Sequence, residues 1–574
     1  MKIATDSQMR SPYPFCIRFF TEMKALGVEE VVVSPGSRST PLVLSADSVG
    51  LETKVFLDER SAGFYALGNA KSSGIPCILI CTSGTASANY LPAIVEANHA
   101  GVPMIVCTAD RPPEQRQWGA GQTINQVNLF GSNVRWSYDL PVATETDEMF
   151  ARNIALRAWE RSMTTRGPVH LNWPFRKPLE PSIELIVPEA TLKPFEITTV
   201  TYHASERLKE LAVEHERGLV VVGPNDFPCE TLKQIAIFGR IASWPILADP
   251  GSQMRGGSIE EESNVFATGE ILCGSASFTE SLEEAEVIVH VGLTPTSKGY
   301  ETWITENPPA KQILIDPGVD WSDPSHQVAE VYQGNPFSVF SDNEQQIRPT
   351  SNWLEKWKEA DTLANSVVKD LIGSAETSEI STIHAVRMGV PDEATIVLSN
   401  SMVIRDAELA FLNEGTAFRT ISNRGANGID GLVSTSTGVA HGTSRKVVAI
   451  IGDVAAVHDV GGFLAANRLQ TDLTIVVFDN GGGGIFSLLP ISESIERETF
   501  EKFYLTPPNG QLQEMLIASG ISVTTPTSLK ELTEQVQNSL ADGGLKVIWC
   551  QTDSTATADG FKAIRENFDT QFAR

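Results

Sequence analysis

A carboxylate and an amide each follow an apolar run in the last third of the chain. Asp453 comes just after the run Lys446–Ile451, and Asn480 comes just after the run Leu473–Phe478. If both runs are strands of a parallel sheet, their carboxyl ends share one edge, where ligands bind. A carboxylate, an amide oxygen and the backbone carbonyl of Gly482 are oxygen ligands for a hard cation and leave positions for phosphate oxygens. The spacing therefore predicts a magnesium site that anchors a diphosphate.

Short motifs of this kind also occur without a ligand. A strand-turn-helix pair with a capping aspartate and a glycine-rich turn would contain the same residue types, so this structural alternative stays open on spacing alone. In Gly452-Asp453-Val454 the valine also replaces the third residue of the more usual Gly-Asp-Gly form of the motif.

A second candidate anion site lies in the first third of the chain. The segment 34–41, Ser-Pro-Gly-Ser-Arg-Ser-Thr-Pro, directly follows the apolar run Val31–Val33. Its small residues can cap a helix and present backbone N–H groups to an anion. Arg38 would add a planar fork for a carboxylate. A capped helix with a solvent-facing arginine is the alternative reading of the same residues.

A third candidate is an acid next to apolar residues. Glu59 stands in Phe56-Leu57-Asp58-Glu59-Arg60, immediately before a helix rich in glycine and alanine. Burial would raise the pKa of Glu59 toward neutral pH, as a group that handles protons requires. A surface ion pair with Arg60 is the alternative, and such pairs contribute little.

The elements that position these residues follow a βαβ rhythm, in which short apolar runs alternate with longer amphipathic stretches. We predict an α/β fold with three domains at residues 1–185, 200–345 and 375–574, each with a central, mostly parallel sheet flanked by helices. The runs predicted as strands are Val31–Val33, Cys77–Cys81, Met104–Cys107, Val169–Leu171, Leu219–Val222, Pro245–Ala248, Val287–Val291, Ile313–Ile315, Thr395–Leu398, Lys446–Ile451, Leu473–Phe478 and Leu545–Trp549.

Composition limits the classes of function. The chain has 574 residues, of which 41% are hydrophobic and 20% charged, values typical of globular proteins. Its net charge of −27 argues against binding to nucleic acids or anionic membranes by general attraction. The seven cysteines have no metal-like spacing, which favours a reducing compartment. We expect a cytoplasmic protein with neither a signal peptide nor a membrane span.

Several further motifs occur in a fixed order and carry a family resemblance. They are Thr82-Ser83-Gly84-Thr85-Ala86, Thr108–Glu114, Gly119–Gln122, Ser399–Arg405 and Ser422–Gly431. From about Ser34 to Pro490 the chain resembles the 2-succinyl-5-enolpyruvyl-6-hydroxy-3-cyclohexene-1-carboxylate synthases of menaquinone and phylloquinone biosynthesis. The resemblance implies that the three domains are a pyrimidine-binding, a central and a diphosphate-binding domain.

The resemblance also implies a cofactor, thiamine diphosphate, bound through Mg²⁺, with Mn²⁺ as an alternative ion. Glu59 matches the acid that contacts the aminopyrimidine ring, and Ile429 matches an apolar residue that wedges the cofactor in its bent form. The residues implied to bind the metal are Asp453, Asn480 and Gly482. Those implied to line the cofactor site with them are Val454, Ala455, Ile485 and Phe486.

The activity implied by the resemblance is that of a transferase. It decarboxylates 2-oxoglutarate and adds the resulting carbanion to isochorismate. Both substrates are dianions, and the residues implied to contact them are Ser37, Arg38, Arg111, Gln122, Lys298, Ser401, Arg405 and Arg424. Gly299 departs from the family, in which a second basic residue follows Lys298. The implied assembly is a homodimer with its active sites at the subunit interface, or a tetramer built from two such dimers.

Two other functions share part of this pattern. Another thiamine diphosphate-dependent decarboxylase or carboligase, similar to acetohydroxyacid synthase, would need Glu59 and the Asp453–Asn480 pair. It would not need Ser37 and Arg38 together with Ser401 and Arg405. A catalytically silent regulatory homologue would be expected to lose Glu59 or Asp453, and both are present. A dinucleotide-dependent oxidoreductase would need a Gly-x-Gly-x-x-Gly turn after a strand, which we do not find.

Overall fold

The computed structural model describes residues 11–143, 148–182, 184–193, 202–255, 264–316, 322–342, 345–374, 378–413, 417–508 and 510–574. These residues form three six-stranded sheets in which all neighbouring strands are paired in parallel. Helices cover both faces of each sheet, so the predicted fold class is confirmed. The exact domain boundaries stay a prediction.

The first sheet has the strand order β2-β1-β3-β4-β6-β5. Its strands are β1 (Glu30–Val33), β2 (Glu52–Val55), β3 (Cys77–Cys81), β4 (Met104–Asp110), β5 (Trp136–Asp139) and β6 (Pro168–Pro174). The helices around it are α1 (Tyr13–Ala25), α2 (Thr40–Val49), α3 (Glu59–Ser73), α4 (Thr85–Ala88), α5 (Leu91–Ala100) and α6 (Glu148–Thr164). Apolar residues of α1, α2 and α6 pack on one face, and those of α3 and α5 pack on the other.

The second sheet has the order β12-β11-β10-β7-β8-β9. Its strands are β7 (Gly218–Val222), β8 (Ile246–Ala248), β9 (Val265–Phe266), β10 (Val287–Val291), β11 (Lys311–Asp316) and β12 (Val328–Gln333). The helices are α7 (Tyr202–Glu214), α8 (Cys229–Ala242), α9 (Gly269–Gly274), α10 (Ala276–Thr279) and α11 (Lys298–Glu306).

The third sheet has the order β14-β13-β15-β16-β18-β17. Its strands are β13 (Ala394–Leu398), β14 (Phe418–Ser422), β15 (Val447–Gly452), β16 (Leu473–Asp479), β17 (Ser522–Thr524) and β18 (Leu545–Gln551). The helices are α12 (Asn352–Ser374), α13 (Glu379–Met388), α14 (Met402–Ala410), α15 (Leu432–His441), α16 (Asp453–His458), α17 (Val460–Arg468), α18 (Ile491–Ser494), α19 (Arg497–Phe500), α20 (Leu512–Ala518), α21 (Leu529–Asp542) and α22 (Ser554–Phe572).

Close helix packing joins the first and third sheets within one chain. A Cβ atom at Gly68 of α3 would lie 1.9 Å from the carbonyl oxygen of Thr435 on α15, and one at Gly438 would lie 2.0 Å from that of Tyr65. Glycine at both positions therefore lets the two helix backbones approach each other. Helix α12 joins the second and third sheets, because Trp353 and other residues of α12 belong to an apolar core shared by both.

Within the described ranges, no helix is both long enough and apolar enough to cross a membrane.

Candidate functional site

The carboxyl edge of the third sheet brings the first two candidate residues together. Asp453 is the first residue of α16, directly after β15, and Asn480 directly follows β16. These strands are neighbours in parallel register, with Gly452 opposite Phe478. The two side chains thus lie at one sheet edge, as their spacing predicts; we call it the third-sheet edge.

The oxygens at this edge are buried and only partly paired. Asp453 is 2% exposed; its Oδ1 accepts a hydrogen bond from the backbone N–H of Val454 at 2.7 Å. Among the described residues, neither the Oδ2 of Asp453 nor the Oδ1 of Asn480 has a hydrogen-bond partner. Burial raises the pKa of Asp453 to about 7, and the charge of Asp479 adds to that rise. Buried polar atoms are rarely unpaired, so these two oxygens fit a site for a cation.

The glycine turn after Asn480 supplies backbone groups to the same edge. Gly481 has a φ of 79° and Gly482 a φ of 129°, which side chains other than glycine rarely allow. A Cβ atom at Gly482 would lie 2.1 Å from the carbonyl oxygen of Leu505. The described residues contain no group of three or more His, Cys, Asp or Glu side chains that could hold a metal. The predicted metal ligands include only one carboxylate, that of Asp453. The other two oxygens would come from the side-chain amide of Asn480 and the backbone carbonyl of Gly482.

A cavity of about 390 Å³ opens at the third-sheet edge, and we call it the inner cavity. Edge-on packing of Phe486 against Tyr504, with ring centroids 5.5 Å apart, forms part of its wall. The predicted residues that line the inner cavity are Ser401, Arg405, Arg424, Ile429, Asp453, Val454, Ala455, Asn480, Gly482, Ile485 and Phe486.

Two arginines carry positive charge into the inner cavity. Arg405 donates from Nη1 to the carbonyl oxygen of Ser401 at 2.5 Å, and Arg424 donates from Nη1 to the Oδ1 of Asn400 at 3.0 Å. The Nε of Arg424 is buried with no partner among the described residues. Burial lowers the pKa of both guanidinium groups, yet arginine stays charged at neutral pH. The cavity therefore offers free donors to an anion.

Lys298 lies farther out. It begins α11 and lines a larger cavity of about 1090 Å³, the outer cavity, which shares Arg405 and Arg424 with the inner cavity. Its side chain is 73% exposed and forms an ion pair with Glu301 at 3.0 Å. At Gly299 a Cβ atom would lie 2.4 Å from the carbonyl oxygen of Glu270. Tight packing of α11 on α9 thus explains why no second basic side chain follows Lys298.

The carboxyl edge of the first sheet, here the first-sheet edge, collects four of the other predicted residues. Ser37 and Arg38 lie after β1, and Arg111 lies after β4. The Arg111 guanidinium donates to the hydroxyl of Ser83, and the side-chain amide of Gln122 donates to the Ser83 carbonyl at 3.0 Å.

Arg38 is the buried member of this group. It donates from Nη1 to the carbonyl oxygen of Phe175 at 2.8 Å, while its Nε is buried without a partner in the described structure. Burial, followed by the nearby charge of Arg111, lowers the pKa of Arg38. The neighbouring Ser37 is exposed.

Glu59 begins α3 and is partly buried. Arg60 pairs with Asp58, the helix-capping residue, at 2.6 Å. This geometry disfavours the alternative of an ion pair between Glu59 and Arg60. Among the described residues, Glu59 does not belong to those that line the inner cavity, so one chain alone does not enclose both candidate halves in that space.

Two buried acids that no sequence motif marks, Glu379 and Asp406, lie beside the third-sheet edge. Glu379 is 2% exposed, and its Oε1 accepts a hydrogen bond from the Nδ2 of Asn480 at 2.7 Å. Burial raises the pKa of Glu379. It raises that of Asp406 too, and the nearby charge of Glu379 adds to the rise. An acid in the first turn of a helix, such as Glu379, is too common to indicate a functional site. Neither Glu379 nor Asp406 belongs to a sequence motif that predicts catalysis or metal binding.

Comparison with protein-family models gives three matches along the chain. Residues 18–129 match the thiamine pyrophosphate enzyme N-terminal TPP binding domain. Residues 192–398 match the model described as the middle domain of thiamine pyrophosphate, and residues 413–550 match the C-terminal TPP binding domain.

Curated relatives cover nearly the whole chain. The 2-succinyl-5-enolpyruvyl-6-hydroxy-3-cyclohexene-1-carboxylate synthase of Bacillus velezensis is 36% identical over 560 residues, covering 94% of each chain. The synthase of the same name from Chloroflexus aurantiacus is 38% identical over 545 residues, covering 92% of each. Among solved structures, the thiamine diphosphate-dependent 4-hydroxybenzoylformate decarboxylase of Rhodococcus jostii RHA1 superposes with a TM-score of 0.69 at 15% identity. That match covers 94% of this chain and 99% of the decarboxylase, and it supports the fold.

Proposed function

Because this chain belongs to the 2-succinyl-5-enolpyruvyl-6-hydroxy-3-cyclohexene-1-carboxylate synthase family of thiamine diphosphate-dependent enzymes, we propose that it joins 2-oxoglutarate to isochorismate. Carbon dioxide leaves from 2-oxoglutarate, and the remaining four-carbon unit adds to the ring of isochorismate. The product is the compound for which the relatives are named.

One observation carries the proposal: unpaired oxygens and free arginine donors line the same inner cavity. The Oδ2 of Asp453 and the Oδ1 of Asn480 suit a cation that holds a diphosphate. Arg405 and Arg424 suit carboxylates of a dianionic substrate. A cofactor anchor without these arginines would fit many 2-oxo acid enzymes equally well.

We assign roles to the cofactor residues on this basis. Asp453, Asn480 and the Gly482 carbonyl would bind Mg²⁺ or Mn²⁺. When bound, thiamine diphosphate accepts the electron pair that decarboxylation of a 2-oxo acid leaves behind. Glu59 would hold a proton at a ring nitrogen of the aminopyrimidine. The residues assigned to contact the cofactor in the cavity wall are Ile429, Val454, Ala455, Ile485 and Phe486.

The substrate residues would bind and orient two dianions. Arg405 and Arg424 would bind carboxylates within the inner cavity, and the apolar wall at Ile485 would exclude water from the reacting atoms. The other residues assigned to substrate are Ser37, Arg38, Arg111, Gln122, Lys298 and Ser401. The exposed side chain of Lys298 lines the outer cavity and pairs with Glu301. We therefore assign Lys298 to contact substrate as it enters, and not to hold it at the reacting atoms.

A second copy of the chain would complete the site. Glu59 lies outside the lining of the inner cavity in the described structure, whereas Asp453 and Asn480 line it. We therefore place the first-sheet edge of one subunit against the third-sheet edge of its partner in a homodimer, or in a tetramer of two such dimers. The domain ranges 1–185, 200–345 and 375–574 and a cytoplasmic location complete the proposal.

The test is a direct assay with purified protein, Mg²⁺, thiamine diphosphate, 2-oxoglutarate and isochorismate. The expected result is consumption of isochorismate with release of one carbon dioxide per product. Pyruvate replaces 2-oxoglutarate in a parallel reaction, where the expected turnover is at least about tenfold lower because one carboxylate contact is lost. No turnover of isochorismate by protein with bound cofactor, or a preference for pyruvate, would overturn the assignment.

A further inference from the structure

We propose that Glu379 is a positioning residue that fixes the side-chain amide of Asn480 with its oxygen toward the inner cavity. The inference rests on the proposed magnesium and diphosphate site, to which it adds a residue outside every motif of the sequence. Its starting point is the hydrogen bond from the Nδ2 of Asn480 to the Oε1 of Glu379, 2.7 Å long.

An asparagine amide can point either end at a ligand. Its NH₂ group only donates hydrogen bonds, and its carbonyl oxygen only accepts them. The Oε1 of Glu379 is the acceptor in this contact and also accepts from the hydroxyl of Thr552, so the contact requires the NH₂ end of Asn480. The oxygen is then left facing away from Glu379, and it is the atom that is buried with no protein partner in the described structure. A cation needs this oxygen, since the NH₂ end would repel it.

Glu379 is itself held firmly. Its backbone N–H donates to the hydroxyl of Thr557 at 2.9 Å, and its Oε1 accepts from the hydroxyl of Thr552 at 3.2 Å. Ser378 caps the helix that Glu379 begins. The carboxylate also lies in the first turn of α13, where the helix dipole favours negative charge. A rigid, 2% exposed acceptor therefore sets the orientation of the amide before any ligand arrives.

Residues that hydrogen-bond to a metal ligand commonly affect how tightly the metal binds. Groups that orient metal ligands, without touching the metal, change affinity by roughly 10- to 100-fold when they are replaced. We therefore expect Glu379→Ala and Glu379→Gln to weaken Mg²⁺ binding by roughly 10-fold or more. The glutamine substitution is nearly isosteric, but its amide can accept or donate and so no longer selects one orientation of Asn480.

A swapped pair separates positioning from packing. The double variant Glu379→Gln with Asn480→Asp keeps the net charge of the pair and reverses the direction of the hydrogen bond. The new amide donates to one carboxylate oxygen and leaves the other for the cation. We expect this variant to recover Mg²⁺ affinity to within about threefold of the parent protein. A residue that only packs α13 would give no such recovery.

The experiment is calorimetric titration of Mg²⁺ into full-length protein with saturating thiamine diphosphate, with thermal unfolding as a check of folding. Glu514→Gln, an exposed acid on α20 of the same domain, is the matched control and should bind like the parent. Parent-like affinity in both Glu379 variants, or no recovery in the double variant, would overturn the inference. Failure of the parent protein itself to bind thiamine diphosphate with Mg²⁺ would instead overturn the proposed function.

Discussion

At the third-sheet edge, Asp453 is almost fully buried and faces an inner cavity of about 390 Å³, whereas at the first-sheet edge Ser37 is exposed and Glu59 is only partly buried. Both edges follow the same rule of parallel sheets, since the candidate residues lie beyond the carboxyl ends of the strands. They differ in what covers them. The turn that begins at Asn480 folds over the third edge and creates a concave site within the chain.

This difference supports the proposal that a second copy of the chain covers the first-sheet edge. Its arginines already have partial protein partners, such as the Phe175 carbonyl for Arg38, so the edge is ordered without being enclosed. The comparison thus supports the proposal that the site is divided between two copies of the chain.

The largest expected effect separates the chemical step from cofactor binding. Glu59→Gln should lower kcat by about 10²- to 10⁴-fold, the usual effect of removing a proton-handling group, because an amide cannot exchange a proton with the cofactor ring. Cofactor affinity should change less than about threefold, since the diphosphate anchor at the other edge is intact. Steady-state kinetics and calorimetry measure both quantities, and full activity in this variant would remove Glu59 from the proposed site.

A substitution at the third-sheet edge should weaken cofactor binding. Asp453→Ala removes a cation ligand, so the affinity for thiamine diphosphate in the presence of Mg²⁺ should fall by at least about 100-fold. Binding measured without metal should be equally weak in the variant and in the parent protein. An unchanged metal-dependent affinity would contradict the anchor.

Matched substitutions of arginine compare the two edges directly. Arg38→Lys and Arg405→Lys keep the positive charge but lose the planar fork, so each should raise the KM of a dicarboxylate substrate by roughly tenfold. Arg497→Lys is the control, because that side chain is 90% exposed. An effect at Arg405 without one at Arg38 would restrict substrate binding to the third edge and weaken the divided site.

The smallest expected effect is on the pH dependence of stability and comes from Glu30, at the amino end of β1. Glu30 is buried, its Oε2 accepts from the Tyr65 hydroxyl at 3.1 Å, and burial raises its pKa to about 7. The folded protein therefore holds a proton there that the unfolded chain, with a pKa of about 4.3, releases. Its contribution to stability is full below that pKa and is lost as the pH rises to about 7.

Glu30→Gln should remove this pH dependence and raise the Tm at pH 8 by roughly 2–4 °C. Substrate KM values should stay the same, because Glu30 lies at the amino end of β1, away from either candidate edge. Thermal unfolding at pH 5 and pH 8 measures the effect. A variant with the parent's pH dependence would show that Glu30 is ionised in the folded protein.

The sequence predicted the inner strands of the sheets and missed the outer ones. Each of the twelve predicted runs became one of the four inner strands of a sheet, because strands buried on both faces consist of continuous apolar residues. The missed strands, β2, β5, β9, β12, β14 and β17, are the sheet edges. They are short or carry polar residues on exposed faces, as β2 does with Glu-Thr-Lys-Val.

The candidate site divides in a similar way. Residues that directly follow inner strands, such as Asp453 and Arg111, were predictable because topology places them at a shared edge. Glu379 could not be predicted from the sequence, because its proposed role depends on a contact with Asn480, 101 positions away. Gly299 departs from the family pattern, and the close contact of its backbone with the Glu270 carbonyl, which leaves no room for a side chain, is visible only in the packed structure.

A mixed dimer tests the divided site most directly. Two chains, one with Glu59→Gln and one with Asp453→Ala, are co-expressed with different affinity tags, and the mixed dimer is purified and assayed beside each inactive parent. If each site takes Glu59 from one subunit and Asp453 from the other, one of the two sites is intact, and about half of the unmodified activity returns. Activity no higher than that of the inactive parents would show that each site is formed within a single chain.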